Sequence, residues 1–163
     1  MLAYSAPSCT VGHVTLNGDV VWQGSVCNNF PNPRGVNTLL IDSFGCSVEE
    51  TRTFDTHIST NSATQLSNYL RQLNRGGVIV GVTADEATWR LSDAVSTLQQ
   101  LGVDVSDVDF RGSFAFIAQK GYPSKTALRK VLTETESNKS PARLNAVITG
   151  RAHKIDAKAL PIF

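Results

Sequence analysis

The sequence predicts a single α+β domain. Three observations carry that reading: hairpin signals crowd the first third, a continuous apolar run "VIVGV" sits mid-chain, and the stretches on either side of it repeat apolar residues at helical spacing. A chain of 163 residues hides roughly 70% of its unfolded surface on folding, enough for one core and too little for two.

The first hairpin is written in "HVTLNGDVVW". Asn17-Gly18 stands between two β-branched runs, and both central positions of such a turn need positive φ, which Asn and Gly tolerate best. Strands are expected over 11–16 and 19–23. "NNFPNPRG" then gathers residues that set turn dihedrals and cannot continue a ladder, so it reads as a loop. "VNTLLID", "SFG" and "SVEETRTFD" form a second hairpin, with Glu49, Thr51 and Thr53 on one face and Val48, Arg52 and Phe54 on the other.

The period then changes. Leu66, Tyr69, Leu70 and Leu73 recur at helical spacing over 62–73, Ser62 with Gln65 fits a capping box, and "RGG" ends the helix. "VIVGV" at 78–82 is too short for a helix and apolar at every position but one, which marks a central strand buried on both faces. Leu91, Ala94, Val95, Leu98 and Leu101 make the second helical stripe, with Ser92 as N-cap and Gly102 as the stop. A strand follows around 114–119, and Phe110, Phe114 and Phe116 are assigned to the core. Beyond Tyr122 the pattern predicts a helix over 124–132, a loop at "ESNKSPAR" and a short strand at "NAVIT", while "RAHKIDAKALPIF" has no period.

Composition removes several function classes. Fifteen basic against fourteen acidic residues leave a net charge of +1, so no global field draws the chain to nucleic acid or anionic lipid. No apolar run approaches the ~20 residues that span a bilayer, so membrane insertion is not expected. "MLAYSAPSCT" lacks the basic and apolar regions of a signal peptide; either export is absent or the chain begins after a leader. His13, His57 and His153 lie in separate segments, and Cys9, Cys27 and Cys46 lack C-x-x-C spacing, so no metal is expected. The nucleophile elbow, the phosphate loop and the dinucleotide fingerprint are all missing, and no cofactor is implied. Cys46 beside His57 would make a nucleophile only if folding joined them, and Cys46 reads better as a structural residue in a turn.

What remains is a polar constellation. "TADEATWRL" sets Asp85, Glu86 and Trp89 between strand and helix, and three readings compete for it. A general acid and base would need two carboxylates roughly 5–10 Å apart, and adjacent residues rarely aim at one atom. Helix-start electrostatics would account for the pair at about 0.3–1 kcal/mol each. A sugar-binding corner would use the carboxylate as acceptor. Arg34 and Arg111 are guanidinium forks able to hold a carboxylate or ring hydroxyls, with surface solubility as their bland alternative.

Taken together, "RGVNTLLIDSFGCSVEETRTFDTH", "GVIVGVTADEATWRLSDAVSTLQQLG" and "DFRGSFAFIAQKG" resemble successive blocks of the ILEI domain, named for the interleukin-like EMT inducer, over residues 14–122. The order of blocks is more specific than any one of them. That resemblance implies a compact β-sandwich-like sheet core flanked by short helices. It also implies binding without catalysis, because larger family enzymes carry their chemistry in a separate region. In a family stem domain with lectin-like function, β-linked N-acetylglucosamine is bound by residues that fall by motif on Arg34, Asp85 and Arg111. Trp89 and Phe114 rank below them as an apolar wall for the sugar's C–H face. Gly112 and Phe114 depart from the stem's aspartate and tryptophan, which bears on sugar identity.

The expected function is therefore a secreted, non-enzymatic carbohydrate-binding protein whose partners are glycans. The alternative is a cytokine-like signalling protein binding a receptor, and a carbohydrate-processing enzyme would need Glu49 or Asp55 facing Asp85. An extracellular chain would carry a Cys9–Cys27 disulfide, since these residues flank the first hairpin. Residues 124–163 stand outside the resemblance and are expected to serve a homo-oligomer.

Overall fold

The computed structural model describes residues 2–5, 11–25, 33–42, 47–122, 128–132 and 142–145. In chain order the elements are β1 (Leu2–Ser5), β2 (Val11–Leu16), β3 (Asp19–Ser25), β4 (Gly35–Ile41), β5 (Val48–Phe54), α1 (Thr60–Gln72), β6 (Val78–Ala84), α2 (Ser92–Gln100), β7 (Ser113–Gln119), β8 (Leu128–Leu132) and β9 (Ala142–Asn145). Strands β3-β2-β1-β9 form a four-stranded sheet and β5-β4-β6-β7-β8 a five-stranded one. Every pairing is antiparallel.

The larger sheet is the middle layer, and the side-chain period of two divides its residues between two cores. Leu39, Ile41, Val78, Val80, Val82, Ala115 and Ile117 point one way and meet Val14 of the smaller sheet. Val36, Ile79, Phe114, Phe116 and Ala118 point the other way and bury Leu66 and Leu70 of α1 and Ala94 and Leu98 of α2. The result is the expected α+β arrangement with a sheet core and helices on one side. Between the helices, the buried hydroxyls of Ser67 and Thr97 satisfy each other at 2.7 Å.

β6 is central and buried along its whole length, because sheet neighbours flank it on both sides and side chains cover both faces. Gly81 within it lies opposite Phe116, and a Cβ there would fall 2.0 Å from the ring. The missing side chain is the space the aromatic fills.

Several sequence expectations need correcting. Ser59 rather than Ser62 caps α1, its side chain accepting from the Asn61 N–H at 3.2 Å. Leu91 rather than Ser92 precedes α2 as N-cap, without a side-chain bond. The helix expected over 124–132 contains strand β8, which covers the otherwise open edge of β7; a free edge in need of pairing outweighs local helical spacing. Strand β9 at Ala142–Asn145 takes in the end of "ESNKSPAR", expected as a loop, and pairs with β1; of "NAVIT" only Asn145 lies within the described residues. Segments after Tyr122 thus complete both sheets. Cys9, Cys27 and Cys46, and with them the Cys9–Cys27 bridge, lie outside the described residues, as does "RAHKIDAKALPIF".

Candidate functional site

Antiparallel pairing decides what meets at each end of the larger sheet. The start of β4, the ends of β5 and β6 and the start of β7 share one end. Gly35 pairs with Ala84 and Val36 with Phe54, which puts Arg34 beside Asp85 and close to Asp55. The β6–β7 ladder ends at Val82 opposite Ala115, and the Thr83 hydroxyl then takes over both Phe114 backbone groups, accepting its N–H at 3.1 Å and donating to its carbonyl at 3.2 Å. From there the two chains part into the loops that carry Asp85 and Arg111.

Those loops are tied together by one carboxylate. Glu86 is only 2% exposed. Its Oε1 accepts from the Thr88 N–H, the Thr88 hydroxyl at 2.6 Å and the Trp89 N–H at 2.9 Å. Its Oε2 accepts the Arg111 N–H from the other loop. The Thr88 hydroxyl also reaches the Asp109 carbonyl at 3.1 Å. Helix-start electrostatics is therefore not the role of this residue, since α2 begins only at Ser92.

The flanking residues adopt unusual backbone conformations. Asp85 has φ +52° and Arg111 φ +58°, both in the left-handed region. Aspartate tolerates that region better than most residues, and arginine has no such dispensation.

A third turn completes the rim. Arg34 forks onto Asp55, with Nη2 2.9 Å from Oδ2 and Nε 3.1 Å from Oδ1. Asp55 also accepts the N–H groups of His57 and Ile58 at 3.2 and 3.1 Å. The buried Thr56 hydroxyl donates to the Ala87 carbonyl at 2.6 Å, and the Arg90 N–H returns to the Thr56 carbonyl at 3.0 Å. Hydrogen bonding to Asp55 holds the Arg34 guanidinium above its usual range against the opposing effect of burial, with the charges of Asp55 and Asp85 adding. Burial alone would raise the Asp55 carboxyl, but the Arg34 hydrogen bonds, the Ile58 N–H, the Arg34 charge and the His57 N–H together hold it below the carboxylate range.

Apolar groups stand exposed at the same end. Trp89 is 61% exposed, Phe110 47% and Ile58 65%. The Trp89 and Phe110 rings meet edge-on with centroids 5.3 Å apart, and the Arg111 guanidinium lies 5.8 Å from the Phe110 centroid. Phe110 is thus a surface residue, contrary to its assignment to the core. Phe114 is the reverse: at 0% exposure, 6.3 Å from the Phe116 ring, it offers no wall to a ligand.

Arg34, Asp85 and Arg111, far apart in sequence, are brought to one end of one sheet, with Trp89 alongside. Asp55, Thr56, Glu86 and Phe110 take part in ways that sequence reasoning does not assign: it weighs Asp55 and Glu86 only as catalytic or helix-start carboxylates and places Phe110 in the core. The "FDTH" block held a signal for the first two, and adjacency to Asp85 and Arg111 for the others. Among the described residues no group of three His, Cys, Asp or Glu side chains is placed to hold a metal ion, and no helix is long and apolar enough to cross a membrane. A search of curated proteins finds no match to the chain. A family model does match: that of the interleukin-like EMT inducer, over residues 34–122, from Arg34 at the start of the site to Tyr122 just past β7.

Proposed function

The chain belongs to the interleukin-like EMT inducer family, and from that premise we propose that it is a non-enzymatic, lectin-like protein that binds a sugar at the Arg34, Asp85 and Arg111 end of its larger sheet. The observation that carries this reading is the exposed Trp89–Phe110 pair lying against the Arg111 guanidinium. A pyranose has an apolar C–H face and a rim of hydroxyls, and it is held best where an aromatic surface adjoins charged donors and acceptors. Asp85 accepts from ring hydroxyls, the guanidinium groups donate, and the aromatic edge covers the C–H face.

The arrangement supports binding over turnover. Asp55, one carboxylate an enzyme would set against Asp85, is gripped by Arg34 and kept ionised, and Glu49 is exposed on β5. Asp55 is therefore not poised as a proton donor. The ligands are extracellular glycans, with terminal N-acetylglucosamine the first candidate from the family's sugar-binding stem. Individual sites of this kind bind weakly, so a homo-oligomer presenting several of them gains by avidity.

A glycan array on the purified chain tests the proposal, with Asp85→Ala and Arg111→Ala checked for folding by circular dichroism. Selective binding that both variants lose is the expected result; a blank array with folded protein overturns it. The exposed Trp89–Phe110 pair would also suit a receptor surface, which is the specific support for the cytokine-like alternative. That alternative predicts receptor binding insensitive to Asp85→Ala and sensitive to Trp89→Ala.

A further inference from the structure

We infer that Glu86 is a positioning residue for the site: its buried carboxylate holds the Asp85–Trp89 turn and the Arg111 loop in register with each other. Calling that site a sugar site rests on the reading above, but the clamp itself does not. Three features lead to it. The side chain is almost completely buried, an expensive place for a carboxylate unless its oxygens are satisfied. They are satisfied almost wholly by backbone: two N–H groups and one hydroxyl of its own turn at Oε1, and one N–H of the other loop at Oε2. Moreover, the two left-handed non-glycine residues of this end among the described residues, Asp85 and Arg111, are its chain neighbour and its bonded partner.

The β-ladder cannot do this work. Regular pairing of β6 with β7 stops at Val82 opposite Ala115, and beyond the Thr83 hydroxyl the loops have no shared ladder. Thr88 reaching the Asp109 carbonyl is a second, neutral tie. Glu86 accepts four hydrogen bonds and spans both loops, where Thr88 gives the Asp109 carbonyl one, so Glu86 dominates. It sets where Arg111 leaves the sheet and where Trp89 sits, while touching no ligand itself.

The role makes an asymmetric prediction. In Glu86→Gln the amide oxygen stays with the three donors at the Oε1 position, and the amide NH2 is left facing the Arg111 N–H, donor against donor. Arg111 therefore loses its acceptor while Trp89 keeps one. Hydrogen–deuterium exchange on the full chain should show the Arg111 amide speeding up on the order of tenfold or more, the Trp89 amide changing less, and the amides of β6 and β4 unchanged. In a Trp22→Phe background Trp89 is the sole tryptophan, and its acrylamide quenching should rise.

Titration with the methyl β-glycoside of N-acetylglucosamine gives the second readout. Weaker binding together with the Arg111-selective exchange supports both the clamp and the sugar reading. No binding by the unmodified chain, with the same exchange pattern, supports the clamp and overturns this sugar as the ligand. Exchange that rises uniformly over the sheet, or nowhere, overturns the clamp whatever the titration shows. If Glu86→Gln does not fold, Thr88→Val removes one hydroxyl from Oε1 and should produce a smaller rise, now at the turn around Trp89; an unchanged turn overturns the clamp.

Discussion

The Arg34 guanidinium and the Asp55 carboxylate form a fork that joins the first residue before β4 to the first residue after β5, with the closest approach 2.9 Å. Arg34 therefore has a structural task beside any ligand task. The two have to be separated before its loss is read as a binding effect.

Arg34→Ala leaves Asp55 half-buried with only backbone donors. The expected cost is about 1–2 kcal/mol, the range for a hydrogen bond to a charged group that keeps some contact with water. Arg34→Lys should recover only part of it, since an ammonium is a point charge and cannot reproduce the fork. Urea unfolding checks this: the midpoint should fall with an unchanged slope, and a midpoint equal to the native one refutes the structural role.

The same pair predicts a pH dependence. Asp55 is held below its ordinary carboxylate value when folded, so the folded chain favours the ionised form more than the unfolded chain does. The resulting stability is fully present above the unfolded carboxyl's value of about 4 and is lost as pH falls through the lower, folded value. Asp55→Asn should thus be less stable than native at neutral pH, with the gap closing under acid. A gap of constant size from neutral pH down to about pH 2 would show that the charge of Asp55 is not what matters.

Which parts of this were legible in the sequence follows from how local each determinant is. The Asn17-Gly18 turn needs only its own two residues, and both have positive φ, at 56° and 95°. The end of α2 is equally local: Gly102 at φ +82° lets its N–H bond to the Gln99 carbonyl and the Val103 N–H to the Leu98 carbonyl. Strand β8 is not local, since the open edge of β7 decides it. Nor is the site, because sheet register sets Arg34 beside Asp85 and the Glu86 carboxylate ties the Arg111 loop to that turn, which residue chemistry alone does not disclose. Asp85 and Glu86 look alike as letters, yet the backbone turn at Asp85 sends only the second inward. Phe110 and Phe114 differ in the same way, one in a loop and one on the core face of β7.

Gly81 makes a packing prediction. A Cβ there would meet the Phe116 ring at 2.0 Å, and the fully buried ring has little room to retreat. Gly81→Ala should cost about 1–3 kcal/mol through overpacking. Phe116→Leu removes the ring atoms in the way, so the alanine should cost much less in that background. Equal costs in both backgrounds, measured as a double-mutant cycle, would sink the steric account.

Arg111 allows strain and function to be pulled apart. At φ +58° an L-residue carries a penalty of roughly 1 kcal/mol. Its side chain is exposed, so truncation removes little packing beyond the contact with Phe110. Arg111→Gly relieves the penalty, although glycine gives part of the gain back through a more flexible unfolded chain. Arg111→Ala keeps the penalty and loses the guanidinium. Both variants should lose sugar binding, while the glycine variant melts higher than the alanine variant by the equivalent of about 0.5–1 kcal/mol. Sugar binding that survives in either removes Arg111 from the ligand set. An alanine variant that outlasts the glycine one shows that the surrounding loop, with Glu86 at its centre, favours this conformation strongly enough that no strain is stored at Arg111.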